Sequence, residues 1–157
     1  MLEMAGIGDM GIRNQAIILF LLDTGCRAGG ICGPRIREID LNERRALVTE
    51  KGNKTRAMTF TTLTAKALRE WILVRKPAQT LFYDIMTLEP LTHSGLLQLL
   101  RRIAHRAGVQ DRFNPHSFRH LFAEEYILAG GDLATLSRLL GQRNVSTTVA
   151  HYTIFYR

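Results

Sequence analysis

Four separated stretches of this sequence hold cations and hydroxyls of the kind that act on a charged substrate. Thr24-Gly25-Cys26-Arg27 sets an arginine just past an apolar run. Lys51-Gly52-Asn53-Lys54-Thr55-Arg56 crowds three cations around a turn-prone Gly-Asn pair. In His116-Ser117-Phe118-Arg119-His120, a histidine and an arginine stand three apart, on one face of a helix. Tyr152 and Tyr156 follow near the end, four residues apart. Each stretch alone has an ordinary explanation. Arg27 suits the C-terminal dipole of a buried helix, the charged turn suits a solvated tip, and His116 suits a capped helix start. A tyrosine suits packing with a wet hydroxyl.

Together they meet one chemical need. Attack on a phosphodiester builds negative charge on the phosphate oxygens as the transition state forms. Guanidinium is always charged and binds two such oxygens at once. A tyrosine whose phenolate is stabilised by cations can form a covalent intermediate through oxygen. A lysine on a hairpin can protonate a leaving oxygen. No carboxylate cluster is present to hold a metal, and the chemistry needs none, so no cofactor is called for.

The elements that must position these groups are legible from periodicity and punctuation. Arg13 to Thr24 reads as an apolar helix closed by Gly25. Ala28 to Pro34 holds three glycines, each costing about 1 kcal/mol of helix stability, and predicts a weak, distorted turn. Ile39-Asp40-Leu41-Asn42 leads into a strand at Arg45–Glu50, paired in a hairpin with Thr55–Phe60. Further helices are predicted over Thr64–Arg75, over Ser94–Ala107 behind Thr92 as N-cap, and after Pro115 up to Gly130-Gly131. Two more follow: Leu133–Leu140, capped by Asp132 and closed by Gly141, and a last one from about Ser146. The fold class is α+β, mainly helical with one small antiparallel β-hairpin or sheet, and residues 1–157 read as one domain.

Charge narrows the partner. Lys plus Arg is 21 against 14 Asp plus Glu, a net charge of +7, which favours a polyanion because cations placed on phosphates release counterions. Cys26 and Cys32 lack Cys-x-x-Cys spacing and suit free thiols in a reducing cytoplasm. The longest apolar run, Ala16 to Leu22, is seven residues, whereas a membrane span needs about 20. No secretory signal layout opens the chain.

The ordered set of segments resembles the tyrosine recombinases, in particular their phage-integrase and Xer-like branch, from about Arg13 to Tyr156. Thr24-Gly25-Cys26-Arg27 with Ile39-Asp40 is similar to the family's first box. Lys51 stands where the family has its hairpin lysine. Pro115 to His120 resembles the His-x-x-Arg-His box. Leu139-Leu140-Gly141, Ser146-Thr147-Thr148 and Tyr152 resemble the closing box. The resemblance implies a catalytic domain with Arg27, Lys51, His116, Arg119, Gln142 and Tyr152 as catalytic residues. Tyr152 would attack to give a 3′-phosphotyrosyl link and a free 5′ hydroxyl. The commonest spacing would put the tyrosine at His151. A one-residue-longer variant matches Tyr152, with Tyr156 as the fallback nucleophile.

It further implies double-stranded DNA as partner, self-association on DNA as a tetrameric synapse, a monomer otherwise, and a cytoplasmic, nucleoid-associated place. An N-terminal DNA-gripping arm is expected to be absent. Two positions depart from the family. Gly30 stands where an acidic residue usually helps hold the first arginine, and Gln142 where histidine or tryptophan is usual. A less well oriented Arg27, a reduced rate, or a catalytically inactive DNA-binding module derived from the same fold are the alternatives these departures raise. A zinc site on His116 and His120 lacks both the glutamate of His-Glu-x-x-His and an evident third ligand. The segment carrying Tyr152 has Val145, Val149, Ile154 and Phe155 to bury, which predicts weak anchoring and, without DNA, either a Tyr152 displaced from Arg27 and Arg119 or a poorly ordered segment.

Overall fold

The computed structural model describes residues 2–50, 52–110 and 113–152. Helix α1 spans Gly8–Thr24, five residues longer at its start than periodicity suggests, and its apolar run is buried on nearly every side. Such burial requires neighbours on two flanks. Helix α3 (Thr62–Val74) supplies one and α5 (Pro115–Leu128) the other. Asp23, near the end of α1, ties the first pair together. Its Oδ2 accepts from the Thr61 backbone N–H at 2.7 Å, the Thr61 hydroxyl at 2.7 Å and the Thr64 hydroxyl at 2.6 Å.

Ala28–Cys32 is a short helix, α2, and not the distorted turn that its glycines predict. Ile31 is fully buried in the main core, so tertiary packing overrides the weak local propensity. The sheet is also larger than a hairpin. Strand β1 (Ile39–Asp40) pairs antiparallel with β2 (Arg45–Glu50), which pairs with β3 (Lys54–Thr59), in the order β1-β2-β3. Ala46 and Val48 face the core while Arg45, Leu47 and Thr49 face out, the alternation that sets a half-buried strand's register.

The remaining α-helices among the described residues are α4 (His93–Arg106), α6 (Leu133–Leu139) and α7 (Val145–Tyr152). Predicted caps are in place. Thr92 accepts from the Gly95 N–H at 2.9 Å, and Asp132 accepts from the Thr135 N–H at 2.8 Å. Buried side chains fall into two groups. The main core joins α1, α3, α4 and the sheet around Phe20, Leu68, Trp71, Leu100 and Ile103. A smaller cluster of Ala123, Ile127, Leu136, Leu140 and Tyr152 joins α5, α6 and α7. Among the described residues, no helix is long and apolar enough to cross a membrane.

Candidate active site

The corner after α1 is built for close approach. Gly25 adopts φ 56°, a left-handed conformation that ends the helix, and its N–H bonds the Leu21 carbonyl at 3.0 Å. A Cβ there would lie 2.8 Å from the Phe122 ring, so glycine also admits α5. Thr24 braces the corner, its hydroxyl donating to the Phe20 carbonyl at 2.6 Å and accepting from the Cys26 N–H at 3.3 Å. Arg27 leaves this corner in extended backbone at the start of α2, with its side chain 53% exposed.

Helix α5 is opened by Pro115 at its first turn and by Asn114, whose Oδ1 accepts from the Ser117 N–H at 2.9 Å. Packing against α1 buries Arg119, which is 4% exposed. Its two terminal nitrogens donate to the Gly25 carbonyl at 3.0 Å and the Leu140 carbonyl at 2.6 Å. The first arginine corner and the end of α6 are therefore joined through this one guanidinium. Burial pulls the Arg119 pKa down to about 10, and the positive charges of Arg27 and Arg56 pull the same way. It remains a cation at neutral pH and lines the cleft.

Among the described side chains, helix α7 turns two inward, and they are not the valines. Thr148 and Tyr152 are buried four apart, whereas Val145 and Val149 are 43% and 38% exposed. Tyr152 is 4% exposed and packs in the small cluster, so the expectation of a displaced tyrosine is not met. Ring packing against α5 and α6 supplies the anchoring that the valines do not. Ile154 and Phe155 lie outside the described residues, as do Lys51 and the fallback Tyr156. The Tyr152 hydroxyl stands 3.1 Å from His120 Nδ1, and His120 Nε2 stands 2.8 Å from His116 Nε2. Burial raises the Tyr152 pKa, with the nearby charge of Arg119 opposing it.

Gln142 follows α6 at the cleft's edge. Its Oε1 accepts from the Thr148 hydroxyl, which leaves its NH₂ as the donor end. A cavity of about 610 Å³ is lined by Arg27, His116, Arg119, His120, Gln142 and Tyr152 together. Of the residues that the resemblance implies to be catalytic, all the described ones line this one cleft. The two histidines, one turn apart, face each other as hydrogen-bond partners. Among the described residues, no group of three metal-ligating side chains exists.

Sequence reasoning gave no role to several lining and supporting groups. His93 and Arg101 of α4 enter the same cleft, and with Leu97 between them they mark one helix face at four-residue steps. Glu50 and Arg56 stand behind Arg27. Glu50 pairs with Arg27 at 3.3 Å and with Arg56 at 2.9 Å, and Arg56 also donates to the Leu139 carbonyl. No spacing rule would have singled out Glu50, a lone carboxylate at the edge of a basic turn.

A profile of the phage integrase family matches residues 1–156. The chain is 33% identical to tyrosine recombinase XerC of Staphylococcus carnosus over 146 residues, covering 90% of this chain and 49% of the relative. It is 34% identical over 148 residues to XerC of Anoxybacillus flavithermus, covering 88% and 49%. Among solved structures it matches XerA recombinase with a TM-score of 0.83 at 27% identity, covering 94% of this chain and 54% of that one. XerH recombinase bound to its difH substrate matches with a TM-score of 0.81 at 25% identity, covering 94% and 46%. The chain spans about half the length of the curated relatives it matches. It belongs to the phage integrase family, and its fold is that of a Xer-like tyrosine recombinase catalytic domain.

Proposed function

We propose that this domain cleaves and rejoins DNA strands at specific sites through a 3′-phosphotyrosyl intermediate, with Tyr152 as nucleophile. The observation that carries the reading is the convergence of Arg27, His116, Arg119, Gln142 and Tyr152 on one cleft. In this reading Arg27 and Arg119 neutralise the scissile phosphate, and Gln142 donates to one of its oxygens through its amide. Tyr152 gives its proton to His120 Nδ1 as its oxygen bonds phosphorus. His120 Nε2–H in turn donates toward His116, which is exposed to solvent. Lys51 protonates the 5′ oxygen as the P–O bond breaks. A 5′ hydroxyl from a partner strand reverses these steps, and the ester keeps the bond energy. The partners are double-stranded DNA and, on DNA, further copies of the protein. The deciding experiment is covalent trapping on a nicked suicide duplex. An SDS-resistant adduct supports the reading, whereas binding with no adduct leaves a non-catalytic DNA-binding module.

Binding carries its own expectation. Affinity for duplex DNA falls by orders of magnitude as salt rises from about 50 to 200 mM if several phosphates are contacted. Fluorescence anisotropy across that range checks it. A flat salt response argues against the Arg27–Arg101 face as a phosphate surface.

Gln142→His is expected to speed cleavage about tenfold, about 1.4 kcal/mol of barrier. In the neutral ring one imidazole nitrogen accepts from the Thr148 hydroxyl in place of Oε1 and the other donates to phosphate. In the protonated ring both nitrogens donate, the phosphate contact gains charge and the Thr148 hydroxyl turns to accept. Single-turnover adduct formation reads the effect. A slower variant shows that the amide has a role that imidazole cannot fill.

A further inference from the structure

We propose that Glu50 is the positioning residue for Arg27, acting from the hairpin. This rests on the reading of the cleft as a strand-cleavage site. An exposed arginine needs a fixed partner if its fork is to meet a phosphate in one orientation, because its free rotamers otherwise dilute that geometry. Its own helix offers none at Gly30. A Cβ at that position would lie 2.6 Å from Cys26 Cβ and 2.8 Å from Cys26 Sγ, and Cys26 is fully buried. No side chain, acidic or otherwise, fits there without displacing Cys26.

Glu50 supplies the carboxylate from across the cleft wall. One oxygen meets Arg27 at 3.3 Å and the other meets Arg56 at 2.9 Å, with the Glu50 side chain only 11% exposed. Arg56 is fixed in turn by the Leu139 carbonyl, next to the Leu140 carbonyl that holds Arg119. Gly141, at φ 64°, leaves space for this pair. A Cβ there would lie 2.8 Å from Arg56 Nε and 3.0 Å from Glu50 Oε2. Glu50 therefore ties Arg27 to the same helix end that carries Arg119. It also immediately precedes Lys51, so the strand that sets Arg27 leads directly into the lysine turn.

The test is single-turnover adduct formation on suicide duplexes bearing either a normal phosphodiester or a neutral methylphosphonate at the scissile position. Variants are Glu50→Gln, Glu50→Asp, Arg27→Ala and the Arg27→Ala/Glu50→Gln pair. A positioned arginine matters most where there is charge to neutralise. Glu50→Gln should slow the phosphodiester roughly tenfold or more and the methylphosphonate little, Glu50→Asp should recover part of the loss, and the double variant should be no slower than Arg27→Ala. Equal slowing on both substrates, or a Glu50→Gln rate at or above wild type, overturns the proposal. If Arg27→Ala is slow while Glu50→Gln is not, Glu50 alone has been misassigned. If wild type forms no adduct, or Arg27→Ala matches it, the reading of the cleft fails and takes the positioning role with it.

Discussion

Tyr152→Phe is expected to abolish the covalent protein–DNA adduct while leaving non-covalent binding nearly unchanged. The substitution removes one oxygen from a residue whose ring is part of a buried cluster, so the packing of α5, α6 and α7 is retained. What goes is the nucleophile and its contact with His120 Nδ1 at 3.1 Å. No compensating path exists for a chemical step that needs that oxygen. Tyr156→Phe should leave the adduct largely intact. Denaturing gels on suicide DNA separate the two, with anisotropy as the binding control. Loss of the adduct in Tyr156→Phe and its survival in Tyr152→Phe would move the nucleophile four residues on and the closing box into another register.

Arg119→Ala is expected to lose about 10²–10³ in cleavage rate, the cost typical of removing a donor aimed at developing charge. It should also lower stability by about 1–3 kcal/mol, because the Gly25 and Leu140 carbonyls are left without their partner. Arg119→Lys separates the two roles. An ammonium keeps the charge, but it cannot span two carbonyls and a phosphate as a planar fork does. Most of the rate loss should persist in the lysine variant while part of the stability returns. Denaturant melts together with single-turnover rates read both. A lysine variant that cleaves like wild type would reduce Arg119 to a point charge.

The boxes were readable because each is a residue type at a fixed offset on an element with strong punctuation. Gly25, Thr92 and Asp132 mark helix ends by local chemistry, and the structure uses all three. Reading faltered where tertiary contact outvotes local preference. Ala28–Cys32 folds as a helix because Ile31 has a core to enter, and Ile39–Asp40 joins the sheet because β2 offers it an edge. The inward pair on α7 was misjudged for a related reason. Hydrophobicity nominated Val145 and Val149, but the helix phase is set by Thr148 meeting Gln142 and by Tyr152 meeting the α5–α6 cluster. Glu50 stayed hidden because its role depends on residues 23 positions before it and 6 after it.

The division of buried side chains into two clusters bears on what an optical probe can report. The chain has one tryptophan, Trp71, which is 1% exposed in the main core and donates to the Leu81 carbonyl at 2.9 Å. Tyr152 belongs to the other cluster. Intrinsic tryptophan emission is therefore a gauge of the α1–α3–α4 body and has no reporter at the tyrosine. An unfolding curve read at that wavelength describes the scaffold, and an opening of α7 passes beneath it unrecorded. Following the helix that carries the hydroxyl calls for a label placed there, for which the outward Val149 offers a site on the same helix.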